Sequence, residues 1–189
     1  IGTPQLTLET GTTDRTINYN GIGSGTTTLQ FAYTVQAGDV SADLDYVATN
    51  SLMAGTSIKD AAGNDAILTL AAPGAANSLG SLKAIVIDTA VPTLEIGAPS
   101  VTTTQDGPVT YSLSYANADN ITLVLGNITL NKTGDANGTL ALSGTGNTRT
   151  VTISGISGDG TLAISIAANS ATDNAGNNAA AANSATITV

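Results

Sequence analysis

The stretches Asp60-Ala61-Ala62-Gly63-Asn64 and Asp173-Asn174-Ala175-Gly176-Asn177 are two renderings of one pattern, Asp-x-Ala-Gly-Asn. Each stands just ahead of the last alternating apolar segment of its half of the chain. A pattern that returns at a domain-sized interval marks a tandem array, so a Thr-, Ala- and Gly-rich chain resolves into two copies of one domain. Outward from these loops the segments alternate apolar and polar residues, are rich in β-branched side chains, and end at Gly, Asn, Asp or Pro. Gln5-Leu6-Thr7-Leu8-Glu9, the run 29–35 and Thr150-Val151-Thr152-Ile153 are examples. Helical spacing develops nowhere, and the Ala-rich run 179–182 is too short to stand as a helix. The chain is expected to be all-β.

Asp88-Thr89-Ala90-Val91-Pro92 follows a strong apolar run and puts Pro at the entry to the next strand, which reads as a domain boundary. The expected domains are 1–90 and 91–189. The second parses into strands at about 93–97, 108–115, 120–125, 127–131, 138–143, 148–154, 161–167 and 184–189. Seven or eight short antiparallel strands suit an immunoglobulin-like sandwich, although the Cys…Trp…Cys core marker of antibody domains is missing.

The halves align on shared landmarks. Strand 29–35, turn Gly38-Asp39 and strand 44–47 match strand 151–153, turn Gly158-Asp159 and strand 162–166. The two Asp-x-Ala-Gly-Asn loops follow, and 83–87 matches 185–189 as the closing strand. Counting back from the Gly-Asp turn, the second domain has about 68 residues and the first only about 38. The difference of roughly 30 is enough for two strands. The first domain is therefore expected to run from strand C to strand G, lacking its first two strands and exposing a sheet edge. Three readings stand open: an arbitrary start, a neighbouring chain that supplies the strands by donor-strand complementation, or a false alignment. The start at Ile1, with no initiator Met or signal peptide, reads as a mature or excised piece of something longer.

Composition narrows function by exclusion. Fourteen acids against five bases give a net charge of −9, which disfavours binding to nucleic acid or an anionic membrane by charge. Cys and His are both absent, which removes disulfides, thiolate or imidazole metal sites and His-dependent nucleophilic centres. No apolar run reaches the length of a membrane span. Aromatic content of 3% argues against sugar-stacking platforms. Phe31, Tyr33 and Tyr46 are expected to carry much of one core, and Tyr111 and Tyr115, two positions apart twice over on one strand, to face another. No carboxylate pair sits in an apolar setting that would separate two pKa values, so no enzyme activity is expected.

With these residues in hand, the chain resembles the bacterial Ig-like repeats of large cell-surface adhesins and surface fibre proteins. The resemblance is carried by Gly38-Asp39-Val40-Ser41-Ala42-Asp43-Leu44-Asp45-Tyr46, Ile58-Lys59-Asp60-Ala61-Ala62-Gly63-Asn64, Ile87-Asp88-Thr89-Ala90-Val91-Pro92 and Asp173-Asn174-Ala175-Gly176-Asn177. It implies extracellular stalk modules on a bacterial cell surface, several of that class with calcium between domains. The expected partners are neighbouring Ig-like domains or copies of the same chain.

In such a sandwich the B–C and F–G loops lie at one end and the E–F turn at the other. That brings Asp39, Asp88, Asp119 and Asp173 towards one junction, where four carboxylates would make an oxygen-only Ca²⁺ site. The competing reading is local: Asp ahead of Gly-Asn is a turn former whose side chain accepts backbone N–H groups. Asp43 and Asp45, flanking Leu44, read as a solvated pair. Four Asn-x-Thr sequons beginning at Asn120, Asn127, Asn131 and Asn137 are what an Asn- and Thr-rich chain produces by chance. An isopeptide link from Lys59, Lys83 or Lys132 lacks an obvious acid partner. Gly21-Ile22-Gly23-Ser24-Gly25 reads as a flexible hairpin loop. The expected function is a structural or adhesive module, with a loop-mediated glycan- or protein-binding module as the alternative.

Overall fold

The computed structural model describes residues 3–189 and divides the chain into two compact units, Ile1–Thr89 and Ala90–Val189. Unit 2 is built mainly of antiparallel strands, whereas unit 1 has five short antiparallel strands joined by longer stretches without regular structure.

Unit 1 contains strands β1 (Gln5–Leu8), β2 (Arg15–Asn18), β3 (Val40–Ser41) and β4 (Leu52–Met53), a short helix α1 (Leu79–Leu82), and β5 (Ile87–Asp88). Strand β1 is central to a three-stranded sheet ordered β2-β1-β4, while β3 pairs β5 through Val40↔Asp88 and Ser41↔Ile87. Residues 44–47 run alongside β1 without forming a regular strand: Leu8 bridges Tyr46, and Glu9 N–H donates to the Asp45 carbonyl at 2.9 Å. The buried core is small, Leu8, Leu44, Tyr46 and Ile87, with Leu6, Ile17, Tyr33, Leu70 and Leu79 packed on it.

Three expected strands need correction in this unit, 44–47 being the first. The run 29–35 is not a strand: Phe31 makes one bridge to Tyr19, and no backbone group of 33–35 has a backbone partner among the described residues. Alternation specifies which face a strand would bury, but a strand forms only beside a hydrogen-bonding neighbour, and this run has none on its outer side. Similarly, of 83–87 only Ile87 lies in a strand. Helix α1 was not foreseen; its four residues depend on Ser78, whose hydroxyl caps Ser81 N–H at 3.2 Å. The loop carrying Gly21–Gly25, read as a hairpin loop, folds back on itself between the bridged residues Tyr19 and Phe31, Asn20 N–H donating to the Gln30 carbonyl and Gln30 N–H to the Ile22 carbonyl.

Unit 2 contains β6 (Thr93–Ile96), β7 (Val109–Ala116), β8 (Asn120–Ile121), β9 (Ile128–Gly134), β10 (Asn137–Ser143), β11 (Thr148–Ser157), β12 (Gly160–Ile166), β13 (Ala171–Thr172), β14 (Ala182–Asn183) and β15 (Ile187–Thr188). One sheet has the order β10-β11-β7-β6. In the other, β12 pairs β9 along one edge and β14 and β15 along the opposite edge. Between β6 and β7 the chain leaves the first sheet and joins the second. Thr103 bridges Thr188 in parallel, with Thr188 N–H donating to Thr102 and Thr104 N–H to Thr188.

The inward faces of the two sheets share one core. Val109, Tyr111, Leu113 and Tyr115 of β7, Val151 and Ile153 of β11, and Leu162, Ile164 and Ile166 of β12 are all buried. Each aliphatic side chain so buried contributes about 1.5–3 kcal/mol. Tyr111 and Tyr115 both face this core, and their hydroxyls donate to the Ala185 carbonyl and to Ser170 Oγ. Buried tyrosines keep their polar tips only when a partner is in reach.

Candidate functional site

The two Asp-x-Ala-Gly-Asn loops have almost the same geometry. In unit 1, Asp60 Oδ1 accepts from Ala62 and Asn64 N–H, both at 2.9 Å, and Oδ2 accepts from Asn64 Nδ2 at 2.8 Å. In unit 2, Asp173 Oδ1 accepts from Asn177 N–H and Oδ2 from Asn177 Nδ2, both at 2.8 Å. Gly63 and Gly176 sit at φ 89° and 90°, the left-handed region a glycine enters without steric cost. The amide hydrogen bonds from Asn64 and Asn177, the largest influence in each case, hold both carboxyls below the usual carboxylate range. Turn chemistry accounts for both aspartates.

Within unit 2 the loops carrying Asp119 and Asp173 are neighbours. Strand β8 pairs β13, Asp119 N–H donates to Thr172, and Asp119 Oδ2 accepts from Asn174 N–H at 2.9 Å. The B–C and F–G loops of the sequence reading thus meet at one end of this unit.

Within unit 1, Asp88 lies in β5, half-buried opposite Val40. Asp39 faces inward with no exposed surface. Its Oδ1 lies 2.7 Å from both Arg15 Nε and Nη2; Oδ2 accepts from Tyr33 Oη at 2.7 Å and Gln36 N–H at 2.9 Å. Burial pushes the carboxyl up, but the hydroxyl, the amide and the guanidinium together bring it below its ordinary value. Burial and the Asp39 carboxylate push the Tyr33 phenol up to about 12. Both oxygens of Asp39 are therefore committed to protein donors. Among the described residues no group of three or more acidic side chains is arranged to hold a metal ion.

Asp45 is also buried, which corrects the reading of Asp43 and Asp45 as a solvated pair. It accepts from Gly74 N–H at 3.0 Å and Tyr46 N–H at 2.9 Å, and Ser78 and Gly80 at the start of α1 also donate to it. Burial raises its pKa, and these donors more than reverse the effect. Asp43 stays exposed and accepts from Ile85 N–H at 3.3 Å. Sequence reasoning missed the Asp39 and Asp45 clusters because each includes a donor from far along the chain, Arg15 at 24 residues and Gly74 at 29, which no local pattern announces.

A third feature of unit 1 is an apolar trough of about 860 Å³. Leu29, Phe31, Leu52, Ile58, Ile67 and Leu68 supply its large apolar side chains. Ile67 is 91% exposed, extreme for a side chain of its size. Phe31 packs edge-on to Tyr19, whose hydroxyl is buried without a hydrogen-bond partner.

No family model, no curated protein and no solved structure matches this chain.

Proposed function

We propose that this chain is a structural module of an extracellular bacterial surface protein: two tandem Ig-like sandwiches that space and carry load in a stalk or fibre. The reading rests above all on the sheet order of unit 2. The orders β6-β7-β11-β10 and β9-β12-β15 follow the ABED and CFG pattern of constant-type immunoglobulin sandwiches. Unit 1 reads as the same sandwich from strand C onward, with β1 in the place of β9. In this reading its open side is completed by a strand from a neighbour in the assembled fibre.

Load-bearing follows from the strand geometry. The entry segment 102–104 lies parallel to the exit strand β15 and is held to it by two backbone hydrogen bonds. Pulling the ends of unit 2 apart would load these bonds in shear, together with the ladders behind them. Calcium enters the proposal as a stiffener of joints between units, with Asp39, Asp88, Asp119 and Asp173 as its candidate ligands. The buried position of Asp39 weighs against its share in that role. The meeting of the loops of β8 and β13 at one end of unit 2 favours the second reading, a module that grips a partner through those loops.

Single-molecule extension of the chain tests the mechanical reading. Unit 2 is expected to give one discrete unfolding event releasing about 330–360 Å of chain, at ~3.3–3.6 Å for each of its residues. Extension without a resolved event would remove the proposal. A melting temperature unchanged between calcium and EDTA would remove calcium from it.

A further inference from the structure

In unit 2, the side of β11 away from β10 is closed by β7, whose four inward side chains are at most 3% exposed. In unit 1, no strand among the described residues pairs that side of the run that takes β11's place, 29–35. Its groups at 33–35 make no backbone hydrogen bonds among the described residues, and the trough opens beside its first residues. An edge with unspent backbone donors and acceptors, next to an apolar trough, is the arrangement that accepts an added β-strand.

The lining specifies the chemistry of what fits. Apart from Lys59 and Asp60 the trough is uncharged; Lys59 is already paired with Asp65, and Asp60 with its own loop. A charged strand would gain nothing there and would lose hydration. Alternate side chains must be apolar, to cover Phe31, Leu52 and Ile67, while the intervening ones face water. Strand β7, Val109-Thr110-Tyr111-Ser112-Leu113-Ser114-Tyr115-Ala116, has this pattern and shows what the same site in unit 2 requires.

We infer that the trough of unit 1 receives an uncharged extended strand, apolar at alternate positions, from a partner polypeptide and not from a second copy of residues 3–189. In a second copy the long alternating strands β7, β9, β10, β11 and β12 are each already bonded into their own sheets. A net charge of −9 also opposes close pairing of two copies.

The inference rests on reading unit 1 as a sandwich short of strands; the extension experiment is read on unit 2, so either can fail alone. The test adds a labelled synthetic peptide with the β7 sequence to the full chain and follows its anisotropy and amide exchange. Binding in the micromolar range is expected, with exchange at 29–35 slowed at least tenfold. A peptide of the same composition with its alternation scrambled should bind at least tenfold more weakly. Ile67→Asp should weaken binding at least tenfold; at 91% exposure this side chain contributes little to the fold, so the variant tests the surface. Equal binding of both peptides, protection confined to unit 2, or no binding would each overturn the inference. Concentration-dependent dimerisation that protects 29–35 without peptide would assign the trough to a second copy, and would overturn it too.

Discussion

Units 1 and 2 carry the same landmarks in the same order, yet the Gly-Asp turn does opposite work in each. In unit 2, Gly158-Asp159 leaves its carboxylate in solvent and packs its backbone against the neighbouring hairpin, Asp159 accepting from Asp135 N–H. In unit 1, Gly38-Asp39 has open space beside its glycine, ties its backbone to the Thr89 hydroxyl, and buries its carboxylate against Arg15 and Tyr33. The difference follows from what surrounds each turn. A unit with two full sheets presents close-packed backbone to its turns, whereas a unit with a small core fixes its turn through a charged side chain. One unit is held mainly by apolar burial and the other leans on polar knots at Asp39 and Asp45.

The largest effect that would break this contrast lies in the cores. Tyr111→Ala, emptying a fully buried site, is expected to cost unit 2 about 3–5 kcal/mol in urea denaturation. Phe31→Ala, on the trough wall of unit 1, should cost less than about 1 kcal/mol, because that ring is only partly buried. A comparable loss at Phe31 would show that the trough wall is packed as tightly as the core of unit 2.

The turns themselves sharpen the comparison at a smaller scale. A Cβ at Gly158, φ 80°, would lie 2.2 Å from the Asp135 carbonyl oxygen; one at Gly38, φ 90°, meets nothing within 4 Å. Gly158→Ala should therefore cost about 2–3 kcal/mol, from backbone strain plus displacement of the Asp135 peptide. Gly38→Ala should cost about 1 kcal/mol, from the positive φ alone.

The smallest effects are read by titration. Asp39 has a folded pKa below its unfolded value, so its contribution is present above the unfolded value and is lost as pH falls through the folded one. Unit 1 should lose stability in that acid window, and Arg15→Gln should weaken the dependence by removing one of the groups that depress the pKa. Tyr33, raised to about 12, behaves in the opposite sense: its contribution is complete below pH ~10 and drains as pH rises towards 12.

What was legible in the sequence follows the range of the forces involved. The long strands of unit 2, β7 and β9 to β12, could be read closely, because period-two alternation is local and each found a partner, whereas 120–125 and 184–189 form strand only at Asn120–Ile121 and Ile187–Thr188. The Asp-x-Ala-Gly-Asn turns could be read because their bonds span only two to four residues. The run 29–35 alternates as well as any strand of unit 2, but pairing needs a second segment, and no feature of the run reveals whether one is there. The burial of Asp39 and Asp45 was hidden for the same reason, since Arg15, Gly74 and Ser78 become their neighbours only in the folded chain. Phe31 and Tyr46 looked alike as core aromatics; Tyr46 is buried and Phe31 lines the trough.

The Asp-x-Ala-Gly-Asn loop satisfies its own aspartate almost entirely from within: in each copy the acid, the glycine and the closing asparagine complete a circuit of their own. Such a circuit makes little demand on the scaffold that bears it. In the tandem arrangement proposed above, such a loop would be a seam at which one unit can be exchanged for another without stranding a polar group on either side.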